Sequence, residues 1–400
     1  MAMSPFDSPP KPTKPLAYHR ILSPTCSVKV SPLCLGGISI GSSWSSAFGK
    51  NEEPFSLLDS YYSAGGNFID TANIYNSEAS ESLIGEWMEK RGNRDEMVVA
   101  TKYTAGYKNY VREEKPDLFQ SNFTGNSAKS LHISLRDSLK KLRTDYIDIL
   151  FVHWWDFGTS VEEIMTHLHA AVMAKQVLYL GISNAPAWVV VKANEYAKRN
   201  GMTPFSVYEA KWNATQRDVE AEVVPMCEDQ GMGIMTYATL GGGSILTAKE
   251  RIEKEEAIEN SKEGERALSP LTEDERKICE VLEALAQEKK TSIQAIACAY
   301  LFSQTTYVVP IIGVQSVEHI KAMSSYLEVQ LSPLESKRIR MAADFDPHYP
   351  MSFAYQFKGN QEYHLGLTTR NNQQYQMAAY VNAPPKQGSY GNLEALPEDH

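Results

Sequence analysis

Four polar residues stand at the ends of successive β-rich stretches: Asp70 in NFIDTA, Lys102 in MVVATKY and His153 in YIDILFVH, with Tyr75 just beyond the first of these. A phenol with an ordinary pKa of about 10 exchanges protons poorly near neutrality. An ammonium beside it favours the phenolate and lowers that value, and an aspartate beside the ammonium keeps the latter charged and oriented. A histidine N–H aimed at the same target would polarise a carbonyl oxygen as hydride arrives. Lys102, Asp70 and His153 around Tyr75 therefore suit proton exchange at a carbonyl or an alcohol. Singly each has a plain structural role: an aspartate caps a turn, a lysine reaches solvent, a histidine sits satisfied in a core. Only their placement at equivalent positions makes a set of them.

Such a set needs a frame that brings strand ends to one face. Candidate strands cover 33–37, 67–72, 97–103, 146–153, 177–183, 205–212, 233–240 and 307–313, several as continuous apolar runs of the kind parallel strands buried on both faces require. Between them SLLDSYYSAGG, SESLIGEWMEKRG, SAKSLHISLRDSLKKLR, SVEEIMTHLHAAVMAKQ, AWVVVKANEYAKRNG and DVEAEVVPMCEDQG carry helical periodicity, with Ser127 and Ser160 at N-cap positions. Eight β units alternating with helices predict an α/β fold, a (β/α)₈ TIM barrel whose mouth collects the strand C-termini; a doubly wound open sheet is the rival. YHRIL and SVKV predict an N-terminal hairpin across the barrel bottom. The charged stretch 247–270 reads as a solvated helix or mobile surface loop, and extra helices are expected over 272–290, 291–304 and 332–344. The expected organisation is a flexible segment 1–17, the barrel 18–344 and a partly ordered tail 345–400.

Composition narrows the function classes. A formal charge of −10 and a pI near 5.5 disfavour nucleic acid and anionic membranes as partners. The Pro-rich, charge-interrupted start lacks a signal peptide's apolar stretch, and no run of about 18 apolar residues occurs, so a cytoplasmic protein is expected. Five scattered cysteines without a CxxC pair read as reduced core thiols. His167 and His169 fall on different faces of one helix, no zinc-ligand spacing appears, and GxSxG, Walker and GxGxxG motifs are missing. Metal and phosphotransfer chemistry are set aside.

Through NFIDTANIY (67–75), ATK (100–102), YIDILFVH (146–153) and GISN (181–184), the chain resembles the aldo-keto reductases from about Tyr18 to Asp344. It looks most like their aryl-alcohol dehydrogenase branch, with its norsolorinic acid reductase-like members of fungal secondary metabolism. The resemblance implies an NADP(H)-dependent oxidoreductase acting on an aromatic, polyketide- or terpenoid-derived aldehyde or ketone. It makes Tyr75 the general acid or base, supported by Lys102, Asp70 and His153. It further implies that Ser183 and Asn184 hold the nicotinamide carboxamide, that Tyr237 stacks on the ring, and that Ala238, Leu240, Gly241 and Gly242 with Gly313, Gln315 and His319 line the phosphates through backbone N–H groups. Three positions depart from the pattern: Glu209 stands where relatives usually carry Gln, and Gln315 and Met323 where a basic residue and an Asn commonly meet the adenosine phosphate. NAD(H) is accordingly left open, with Lys321 a compensating cation. Trp44, Trp154 and Trp155, in mouth-side loops, are candidate walls for a flat substrate beside His153. A cofactor-binding regulatory or scaffold protein and a redox-neutral isomerase or dehydratase are the competing readings; monomer and homodimer fit equally.

Overall fold

A computed structural model describes residues 10–259 and 269–355, together with Asn372, Met377 and Ala379. Two short strands, β1 (Arg20–Ser23) and β2 (Cys26–Val30), form an antiparallel hairpin. Eight parallel strands then close a barrel: β3 (Cys34–Gly36), β4 (Phe68–Asp70), β5 (Val98–Tyr103), β6 (Ile147–Val152), β7 (Val177–Ser183), β8 (Val207–Lys211), β9 (Gly233–Tyr237) and β10 (Val308–Gly313). They run in chain order round the barrel, and β10 closes on β3. Each expected strand is present and the open-sheet alternative is excluded.

Two apolar layers hold this frame. Phe68, Ala100, Ile149, Phe151, Val207, Met235 and Val309 fill the barrel interior together with Leu22, Cys26 and Val30 of the hairpin. The hairpin therefore acts as a plug, bonded from below: Ser23 Oγ donates to the Ser206 carbonyl at 3.1 Å, and the Arg20 guanidinium donates to the Val308 carbonyl at 2.6 Å. Gly181 is required inside the barrel, since a Cβ there would lie 2.4 Å from the Phe151 ring. The larger core packs the outer faces of the strands against the helices.

Ser127 and Ser160 cap their helices as expected, accepting from the N–H groups of Ser130 and Glu163. The segment 218–231 differs from its expected single helix. A short turn, Asp218–Glu220, precedes a helix that starts only at Val223, which leaves Pro225 in the first turn, where its missing N–H costs nothing. Within the charged stretch a helix spans Ala248–Glu259, and residues 260–268 lie outside the described residues. The extra helices are Glu273–Lys289, Ile293–Phe302 and Pro333–Arg340. Leu16, inside the segment expected to be flexible, is fully buried in the core, so anchoring begins ahead of residue 18. The tail is described chiefly to Tyr355, with a short helix Met351–Ala354; most of it lies outside the described residues. All five cysteines are buried and free, and no described helix is long and apolar enough to cross a membrane.

Candidate active site

Lys102 occupies an inward position near the end of β5, opposite Phe151 of β6, and is fully buried. A buried ammonium is costly unless paired. Its Nζ donates to the carboxylate of Asp70, the last residue of β4, and to the Thr71 carbonyl at 3.0 Å, and it lies 3.2 Å from Glu209 Oε2 across the barrel on β8. Burial alone would lower the ammonium pKa, but Asp70 and Glu209 outweigh it and the value is raised. Lysine thus stays charged with no contact to solvent.

Tyr75 lies just past β4, its ring centre 5.3 Å from Lys102 Nζ. Burial raises the phenol pKa, Lys102 works against that rise, and Asp70 and Glu209 reinforce it. The ammonium acts in the expected direction but enclosure dominates, so the expected net lowering does not occur and the phenol is held protonated. The next three residues, Asn76, Ser77 and Glu78, have φ of 50°, 55° and 75°. Successive left-handed non-glycine residues cost on the order of 1 kcal/mol or more each and persist only where neighbours fix them. Here Asn76 donates to the Ile38 carbonyl at 2.8 Å and accepts from Trp44 N–H at 3.0 Å, while Glu78 accepts from Lys108, Tyr110 and Lys141. The turn that presents Tyr75 is therefore clamped from both sides.

His153 follows β6, and its ring meets Tyr75 edge to face at 6.1 Å. Burial, with Lys102 adding to it, brings its pKa down to about 3, so the imidazole is neutral and has one N–H to offer. Its Nδ1 has no hydrogen-bond partner among the described residues. Tyr75, His153, Asp70 and Glu209 open onto one cavity of about 670 Å³, completed by Trp154, Phe48, Asn184, Tyr237, Ala238, Leu240 and Gly242.

The positions expected to hold a cofactor divide into three groups. Asn184, Glu209, Tyr237, Ala238, Leu240, Gly242 and Gly313 line this cavity. Asn184 donates to the His153 carbonyl at 3.0 Å and accepts from Tyr237 Oη at 2.9 Å; Ser183 is fully buried behind it, with Oγ 2.9 Å from the Asn184 amide. Gly241 instead borders a neighbouring cavity of about 560 Å³ lined by Glu250 and Lys254, beneath the helix Ala248–Glu259. Ala238, Gly241, Gly242 and Gly243 all have positive φ, which turns the loop sharply; three glycines adopt this at little cost.

Gln315 and His319 stand beside the site but face each other and a neighbouring loop. The Gln315 amide donates to the Phe48 carbonyl at 2.6 Å, and its backbone N–H donates to His319 Nδ1 at 3.2 Å. Met323 is a correction: it is fully buried in the main core, because the inner face of the helix Val317–Met323 is turned to the hydrophobic layer. Trp155 is another, packed in the same core at 8% exposure while its neighbour Trp154 faces the cavity. Trp44 meets Tyr75 edge on at 6.0 Å and packs on Phe48 at the same distance. Phe48, Ile38 and Ile311 line the cavity without having been singled out; a position in mouth-side loops or strand ends was the available signal.

The buried Glu209 Oε2, near Lys102 but without an aligned hydrogen-bond donor, the unbonded His153 Nδ1, a half-buried tyrosine face and a glycine turn fit a nicotinamide group at this mouth. Comparison with known sequences bears on the same question: the aldo/keto reductase family model matches residues 32–344. The chain belongs to the aldo/keto reductase family. It is 44% identical to norsolorinic acid reductase A of Aspergillus parasiticus over 94% of either chain. Identity is 47% to norsolorinic acid reductase B of Dothistroma septosporum over 84% of each chain, and 47% to the aryl-alcohol dehydrogenase (NADP(+)) of Phanerodontia chrysosporium over 85% of this chain and 90% of that one. As an aldo/keto reductase the chain is an oxidoreductase, and its closed barrel is the frame expected of one.

Proposed function

We propose that this aldo/keto reductase interconverts an aromatic or polyketide-derived aldehyde or ketone with its alcohol, using NADP(H). The observation that carries the reading is the convergence of Tyr75, Asp70 and His153 on one aromatic-walled cavity, with the buried Lys102 ion-paired to Asp70. When bound, the cofactor supplies or accepts the hydride. Tyr75, kept protonated by enclosure, gives its proton to the carbonyl oxygen during reduction and takes it back during oxidation. Lys102 stabilises the phenolate left behind, and Asp70 holds Lys102 in place. The neutral His153 donates a hydrogen bond to the same oxygen. Trp154 and Phe48 offer flat apolar walls that orient an aromatic ring and exclude water. The nicotinamide end is assigned to Asn184, Ser183, Glu209 and Tyr237, and the phosphates to the turn 238–242 and Gly313. The names of the relatives support the substrate class, and one of them supports NADP(H) over NAD(H). Lys321 is paired with Glu318 at 2.6 Å, so it adds little to the case for the 2′-phosphate.

The test is oxidation of NADPH and of NADH by the full chain in the presence of an aromatic aldehyde or a quinoid ketone, with 4-deuterated cofactor to trace the hydride. Deuterium in the alcohol is expected, and Tyr75→Phe should lose roughly 10²- to 10⁴-fold in turnover while NADPH affinity is kept. Wild-type turnover in that variant, or product without deuterium, would overturn the proposal.

A further inference from the structure

We infer that Glu209 makes this cavity selective for the oxidised, positively charged nicotinamide over its neutral reduced form, through a proton shared between Glu209 and Asp70. The inference rests on the reading above, which places the nicotinamide in this cavity.

Charge counting motivates it. Asp70 and Glu209 are each 3% exposed, and both face the single ammonium of Lys102. The three donor directions of that ammonium favour Asp70 and the Thr71 carbonyl; Glu209 Oε2 is near at 3.2 Å yet has no aligned donor. With both carboxylates ionised, this enclosed cluster would carry one uncompensated negative charge, a costly state away from water. It can be neutralised by a proton within the pair or by a cation from the cavity that Glu209 lines. A nicotinamide ring is such a cation only when oxidised.

The groups packed round Glu209 leave the exchangeable proton to this pair. Cys34 on β3, Tyr75 and Tyr237 on β9 are all raised by burial and stay protonated near neutrality. Lys102 stays charged and His153 stays neutral. Burial raises Asp70, and burial followed by the Asp70 charge raises Glu209; each lies within hydrogen-bond reach of the other, so the proton belongs to the pair as a unit. A neutral reduced ring leaves that proton in place. A cationic ring favours its departure to solvent, so oxidised cofactor should bind more tightly as pH rises, whereas reduced cofactor should not. One added charge at several ångströms, in a medium of effective dielectric about 20, corresponds to on the order of tenfold or more in affinity.

Calorimetric titration of the full chain with NADP+ and with NADPH between about pH 6 and pH 9, each in two buffers of different ionisation enthalpy, gives both affinity and proton count. The 2′-phosphate is common to both ligands, so their difference isolates the ring. The expected result is NADP+ binding that tightens about tenfold across the range with proton release, NADPH binding without that trend, and loss of the difference in Glu209→Gln. The same pH response for both ligands, or a Glu209→Gln protein that keeps the wild-type difference, would overturn the inference; continued aldehyde-dependent NADPH oxidation would leave the reductase reading standing. Failure to bind either ligand would overturn both. The wild-type proton count decides without the variant: no excess release with NADP+ sinks the idea.

Discussion

Replacing Lys102 by Met keeps most of the buried stem and deletes the charge that acts on Tyr75. At the observed 5.3 Å from the ring centre and an effective dielectric of about 20, that charge favours the phenolate by roughly 3 kcal/mol. Each 1.36 kcal/mol corresponds to one pH unit, so the midpoint for forming phenolate should move up by about two. Asp70 and Glu209 will respond by taking up protons, which withdraws part of their opposing push and makes two an upper figure. The assay is the pH dependence of alcohol oxidation at saturating cofactor, since that direction requires phenolate. Its rising limb should shift upward, and the rate at a fixed pH below the midpoint should fall by on the order of tenfold to a hundredfold. A limb at the wild-type position, whatever the loss in rate, would refute a charge acting on the phenol and leave Lys102 a packing residue. Stability gives a second reading. Without Lys102 the two carboxyls have folded-state pKa values above their unfolded ones, so the variant should be most stable in acid and lose stability as pH rises through those values. Breaking a buried pair this way costs roughly 3–5 kcal/mol where the carboxylates are forced to ionise.

Four further perturbations separate packing from chemistry. Met323→Ala and Trp155→Ala should each cost roughly 2–5 kcal/mol in chemical denaturation with NADPH affinity unchanged, because both side chains belong to the main core; a lost affinity without destabilisation would restore Met323 to the cofactor site. Trp154→Ala, by contrast, should raise KM for an aromatic aldehyde with a melting temperature near wild type, since this ring faces the cavity and is 37% exposed. His153 is held neutral to about 3, against an ordinary value of 6.5, so the unfolded chain binds more protons between those limits and stability should fall as pH drops through that window; His153→Gln should flatten this part of the acid limb in a pH series of urea melts. Asn76→Ala removes the amide bonded to Ile38 and Trp44 and places alanine at φ 50°, so it should lower kcat more than it raises KM, and an unchanged kcat would show that the Tyr75 turn needs no such clamp.

Local signals in the chain were sufficient for the frame. Parallel strands buried on both faces read as nearly continuous apolar runs, as in Ile147–Val152 with Asp148 its one polar residue, and helix starts must satisfy orphan N–H groups, as Ser127 and Ser160 do. Eight such units made the barrel legible, and the barrel in turn made strand-end residues such as Asp70, Lys102 and His153 members of one site. Its position just beyond the fourth barrel strand likewise placed Trp155 near the mouth, but did not determine on which side of its loop it would point.

What only the tertiary structure decided concerns enclosure and distance across the barrel. Lys102 and Glu209 lie on strands that are not neighbours, and only closure of the barrel brings Nζ to 3.2 Å from Oε2 and leaves one cation between two carboxylates. Whether Lys102 lowers the phenol pKa or merely moderates its rise depends on how completely water is excluded, a property of the packed cavity and not of residue spacing. Met323 and Gln315 show the same division: a position along the chain brought each near the cofactor end, but the inward face of one helix buried the first, and a carbonyl of another loop engaged the second. Residue types determined which chemistry was available, and long-range packing determined the charge state in which those residues meet.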